Sequence, residues 1–127
     1  MSTLLNELLA VEKACAAAFN RRDVDSILEH FSDDISGFSS TKHERFHGKE
    51  ELKSTFEYYL SEAEDLTFEI ADPEVIDLGE LAILTLYWKV ILKSGNKIRE
   101  VNGRGSHVFR RFNGTWKIIH EHFSKAH

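Results

Sequence analysis

The stretch Gly103-Arg104-Gly105-Ser106-His107-Val108-Phe109-Arg110-Arg111-Phe112-Asn113-Gly114-Thr115-Trp116-Lys117-Ile118-Ile119-His120-Glu121-His122-Phe123-Ser124 decides the fold. Asn-Gly between two apolar-rich arms is a strong hairpin signal, because both residues tolerate positive φ. The pairing across this turn sets which side chains share a face. A two-residue loop would pair Phe112 with Thr115 and group His107, His120 and Trp116. A three-residue loop with a bulge would pair Arg111 with Thr115. It would put Arg104, Ser106, His120, His122 and Trp116 on one face, and His107, Phe109, Glu121 and Phe123 on the other. The bulged form is expected, because it leaves two coherent faces. A slip of one residue would exchange them.

Upstream, the period of two continues. In residues 80–93, Leu84, Leu86, Trp88, Val90 and Leu92 share one face, and Thr85, Tyr87, Lys89 and Ile91 the other. Ser94-Gly95-Asn96 is a turn signal joining this strand to a long one at 97–112. Leu66, Phe68 and Ile70 alternate as well, and Val75–Leu78 follow Pro73. A proline cannot donate to a ladder, so Pro73 points to an edge or a bulge.

The first half changes to a helical period. Leu4, Leu8, Val11, Cys15 and Ala18 mark a helix over 3–21, with Ser2 or Thr3 as its N-cap. Val24, Ile27, Leu28 and Phe31 mark a short helix at 24–31 after Asp23. A short strand at 35–38 and a polar loop, Ser39–His47, lead to a helix at 49–62 with Leu52, Phe56, Tyr59, Leu60 and Ala63 as its stripe. The order α-α-β-α-β-β-β-β is an α+β pattern. The expectation is a single domain over 1–127, a curved antiparallel sheet with three helices laid on one face.

The chain has 127 residues, 42% apolar and 29% charged, with a net charge of −5. That suits a globular domain and gives no support to a nucleic-acid or membrane surface. The start lacks a basic n-region, and Glu7, Glu12 and Lys13 interrupt its apolar run, unlike a secretory signal. One cysteine, Cys15, cannot form an internal disulfide, so a reducing, cytoplasmic setting is expected.

Three stretches carry a family resemblance: Phe19–Leu28 with Phe31-Ser32-Asp33-Asp34, His47-Gly48-Lys49-Glu50-Glu51-Leu52, and Gly103–Ser124. Together they resemble the nuclear transport factor 2-like superfamily, and within it SnoaL-like proteins and the association domain of calcium/calmodulin-dependent protein kinase type II. The resemblance implies a cone-shaped, cystatin-like fold in which a bent sheet wraps helices and leaves a pocket. Ketosteroid isomerases resemble the chain in layout, and they use an Asp base with a Tyr and a protonated Asp as oxyanion donors. Here those positions fall on Ser39, Cys15, and Val108 or His107, so that isomerisation is not expected. The association-domain resemblance maps a pocket lining onto Leu52, Leu60, Trp88, His107 and Phe123, with His107 in place of an arginine.

Phe56, Tyr59 and Glu121 complete the expected ligand lining, which suits a small, partly apolar molecule. His107, His120 and Glu121 are the candidate acid/base groups for an enzyme reading. His120 and His122 face the same way with no Cys or Asp to complete a ligand set, so no metal is expected, and no cofactor. Arg104, costly to bury unpaired, is expected in an ion pair with Glu100, Glu121 or a second subunit. Trp116 and His122 are placed with it at an interface. Thr85, Tyr87, Ile91 and the Trp116 side make the outer sheet face too apolar for open solvent, which implies a homodimer or larger ring.

Overall fold

The computed structural model describes residues 3–126, so Ser2 as an N-cap lies outside the described residues. The elements are α1 (Thr3–Asn20), α2 (Val24–Leu28), β1 (Phe31–Phe38), β2 (Phe46–His47), α3 (Gly48–Ser61), β3 (Asp65–Asp77), β4 (Leu81–Ser94), β5 (Lys97–Phe112) and β6 (Thr115–Lys125). The strands form one sheet in the order β2-β1-β6-β5-β4-β3. The helices cover one face, and the layout is the cystatin-like α+β architecture. No helix among the described residues is long and apolar enough to cross a membrane.

The core lies between the helices and that face. Leu8 of α1, Leu52 of α3, Leu84 of β4, Phe109 of β5 and Ile118 of β6 are fully buried. Each such side chain contributes about 1.5–3 kcal/mol of apolar burial. Asp23 caps α2 by accepting hydrogen bonds from Ser26 N and Oγ at 3.2 and 2.6 Å. Those bonds hold its carboxyl below the usual range. Arg22, at φ 62°, turns its guanidinium onto the end of α3. It donates to the carbonyls of Leu60, Ala63 and Glu64 at 2.8, 3.0 and 2.6 Å. Carbonyls at a helix end lack intrahelical partners, so this clamp ties α3 to the α1–α2 corner.

Four sequence expectations need correction. The sheet is mixed: β1 runs parallel to β6, pairing Ser36 with His120 and Phe38 with His122. The short helix stops at Leu28, and Phe31 opens β1 instead. Within the Ser39–His47 loop, Phe46 and His47 form β2 against Ser36 and Gly37. The turn at Asn113-Gly114 is the two-residue form, with Phe112 opposite Thr115 and positive φ at both turn residues. The bulge sits further along β6. Phe109 faces Ile118 but Val108 faces His120, so Ile119 is the extra residue.

That displaced bulge has a consequence for each face. Beyond it, His107, Glu121 and Phe123 point inward and Arg104, Ser106, His120 and His122 outward, as the other pairing required. Before it, Trp116 points inward with Arg111. Trp116 is buried, and its indole N–H donates to Glu7 Oε2 at 3.0 Å. It is a core residue and not part of the outer face. Pro73 lies in a bulge of edge strand β3, where Asp72 takes φ 50°.

Candidate functional site

A cavity of about 60 Å³ lies between the helices and the sheet. Glu12, Cys15 and Phe19 of α1 and Phe56 and Tyr59 of α3 border it from the helical side. Phe68, Trp88, His107, Glu121 and Phe123 border it from β3 to β6. The wall is aromatic because two glycines of β5 leave room for rings to lie across the sheet. Gly103 sits opposite Trp88 and Gly105 opposite Phe123. A Cβ at Gly103 would come 2.1 Å from Trp88, and one at Gly105 would come 2.4 Å from Phe123. Trp88 stacks on Phe68 and Phe123 at 6.5 and 6.1 Å, and Phe123 lies 5.1 Å from the His107 ring. The Trp88 indole N–H donates to the Arg104 carbonyl at 3.1 Å, which fixes the ring.

Gly105→Ala should drive the Phe123 ring toward the cavity. Overpacking of this kind costs about 1–3 kcal/mol. The urea midpoint should fall accordingly, and a second change, Phe123→Leu, should recover most of the loss. An unchanged midpoint would show that the ring does not rest on the glycine.

The polar part of the cavity is an array of three buried side chains. His107 Nδ1 lies 2.5 Å from Glu12 Oε2, and its Nε2 lies 2.6 Å from Glu121 Oε1. Glu12 is 3% exposed, His107 4% and Glu121 6%. Burial pushes the His107 ring toward its neutral form. The charge and hydrogen bond of Glu12, joined by those of Glu121, outweigh burial and hold the ring at about 10. Both ring nitrogens are therefore committed N–H donors at neutral pH. The second oxygen of each carboxylate has no hydrogen-bond partner among the described residues.

Two further groups respond to this array. Burial, then Glu12 and Glu121, pushes the Cys15 thiol well up, which keeps it protonated and a poor nucleophile. Burial also raises Tyr59, whose hydroxyl is paired with Ser40 of the loop after β1.

Of the residues singled out in the sequence, Phe56, Tyr59, Trp88, His107, Glu121 and Phe123 meet at the cavity. Leu52 and Leu60 are packed in the core and do not border it. His120 and His122 lie on the outer sheet face. Within the chain, Arg104 pairs with neither Glu100 nor Glu121. Arg104 is exposed on that outer face and reaches Ser124 Oγ at 3.4 Å, while Glu121 is engaged by His107 on the inner face. Glu12 is the member that sequence reading passed over. Its signal was position: it falls one turn from Leu8 and from Cys15, inside the apolar stripe of α1.

The sequence matches the SnoaL-like domain family over residues 8–127. No curated protein is significantly similar in sequence. Among solved structures, an NTF2-like protein of unknown function from Pseudomonas putida is 27% identical, with a TM-score of 0.84 over 98% of this chain and 88% of its own. A Xanthomonas campestris protein provisionally assigned as a calcium/calmodulin-dependent protein kinase II association domain is 21% identical. Its TM-score is 0.84 over 94% of this chain and 86% of its own. A Streptomyces avermitilis protein provisionally assigned as a dehydratase of the NTF2-like family is 18% identical. Its TM-score is 0.85 over 98% of this chain and 97% of its own. The last two likenesses concern the fold alone.

Proposed function

The chain belongs to the SnoaL-like domain family, and from that premise we propose that it is a homo-oligomeric protein binding a small, largely apolar molecule in its interior cavity. One observation carries this reading. Three ionisable side chains are buried together where apolar residues would serve folding as well or better, and they border a void walled by aromatic rings. Such convergence of a few polar groups on an apolar concavity is the usual form of a small-molecule site. Self-association is proposed on the outer sheet face. Tyr87 is 59% exposed there, and Ile83, Val108 and His120 lie beside it.

A second reading is supported by the free carboxylate oxygens. Glu12 or Glu121 could accept a proton from a bound ligand while His107 holds the carboxylate in place, which is the geometry of cofactor-free acid–base catalysis. In this reading His107 is a positioning group, because neither ring nitrogen is open. His120, on the opposite face, would take no part.

Native mass spectrometry of freshly purified protein tests the proposal. A multiple of the 14.6 kDa chain carrying an extra small mass, lost on denaturation, is the expected result. Bare monomers, with no fragment-library member perturbing Trp88 fluorescence, would sink it. Return of a chemically altered molecule after incubation with the protein would favour catalysis over binding.

A further inference from the structure

We propose that the cavity selects a small organic cation, an alkylammonium; this rests on the reading that the cavity binds a small molecule at all. Two hydrogen bonds join Glu12, His107 and Glu121, one at each ring nitrogen. Each bond needs one proton. Two carboxylates and a fully deprotonated imidazole would carry three negative charges, so two protons, with none on the free carboxylate oxygens, leave a net charge of −1. The result is the same wherever along each bond the proton sits.

That charge is not balanced at the cavity. No lysine or arginine borders it among the described residues. The groups facing the array from the helices are Cys15 and Tyr59, neither of which is cationic, and His30 senses Glu12 from further off. Burial pulls His30 toward its neutral form, with Lys117 adding to that pull, so it supplies no compensating charge at neutral pH. No described residue donates to the free oxygens of Glu12 and Glu121, whose side chains are more than nine-tenths buried and border the cavity. An ammonium N–H supplies both the charge and the hydrogens.

The walls favour the same class. Trp88, Phe123, Phe68, Phe56 and Phe19 surround the space, and ring faces attract cations most strongly where water is excluded. Size limits the ligand. A cavity of about 60 Å³ favours a small ligand over a large one. An anion would meet two carboxylates and is excluded on charge.

The test is an NMR titration of the intact protein at neutral pH. It follows the Trp88 indole N–H and uses the Trp116 indole, outside the cavity, as a control. Isopropylammonium, 2-propanol and acetate have nearly one size and differ in charge. Isopropylammonium should bind about tenfold or more tightly than 2-propanol, and acetate should produce no shift. In Glu121→Gln the array is neutral, and the preference for the cation should vanish while 2-propanol still binds. Glu12→Gln should behave alike and serves if the first variant does not fold. If 2-propanol binds wild-type protein as tightly as the cation, the charge proposal is overturned and the binding reading survives. If Glu121→Gln keeps the full preference, the array is not its source, and the proposal also fails. If none of the three shifts Trp88, the cation proposal fails, while the binding reading stands or falls on the native mass spectrum and the fragment library.

Discussion

His107→Ala should destabilise the protein by about 3–5 kcal/mol, read as a fall in the urea midpoint at neutral pH. The size comes from what is left behind. Glu12 and Glu121 would stay buried with no partner between them, and burying an unpaired charge is among the costliest single changes. Removing all three together should behave in the opposite way. In Glu12→Met, His107→Leu, Glu121→Met the same space is filled with apolar atoms, and stability should match or exceed that of the wild type. A fall below about 1 kcal/mol for His107→Ala would show that the carboxylates do not depend on the ring. A triple variant that is much less stable would show that the array serves folding, and would remove the main reason for assigning it to a ligand.

The second large effect is a loss of stability with rising pH. A histidine in the unfolded chain titrates near 6.5, whereas His107 in the native protein titrates at about 10. Between those values the native state holds one more proton than the unfolded state. Stability therefore falls by about 1.4 kcal/mol per pH unit across that window. The contribution is fully present below about 6.5 and lost once the pH passes about 10. Over the whole window the loss amounts to several kcal/mol. Urea unfolding at a series of pH values from neutral to about 10 measures it. The apolar triple variant should show a much flatter profile. Equal slopes in the two proteins would mean that other groups carry the dependence.

Most of the sheet was legible because its inner face is so regular. Leu84, Leu86, Trp88, Val90 and Leu92 alternate without interruption and are all buried. Gly48 and Asn113-Gly114 marked a helix entry and a turn, and positive φ at each is the physical reason. What could not be read were features set by partners distant in sequence. The parallel union of β1 and β6 joins segments with no local signal for each other. The extra residue at Ile119 has no turn chemistry, so the sequence places the one-residue offset in the hairpin loop, where glycine stands. That assignment gave the correct faces for His107 and Glu121 and the wrong one for Trp116. In the sequence Glu12 is only a break in an apolar run, because a carboxylate inside a helix stripe has meaning only once its partner is seen. The pair that defines the site, Glu12 with His107, is therefore the part least visible from either segment alone.

The separation of that pair in the chain bears on how the protein folds. His107 and Glu121 are 14 residues apart across one hairpin, but Glu12 and His107 are 95 apart. Closing the longer loop costs roughly 2 kcal/mol more in chain entropy than closing the shorter. Distant contacts of this kind also slow folding. The β3–β6 meander can assemble from near neighbours, with His107 and Glu121 already opposite each other and still open to water. Docking of α1 then seals Glu12 against the ring. Docking of α1 therefore closes the longest loop of the array and strips water from its charges in one event, so the entropy of closure and the desolvation of the site are coupled.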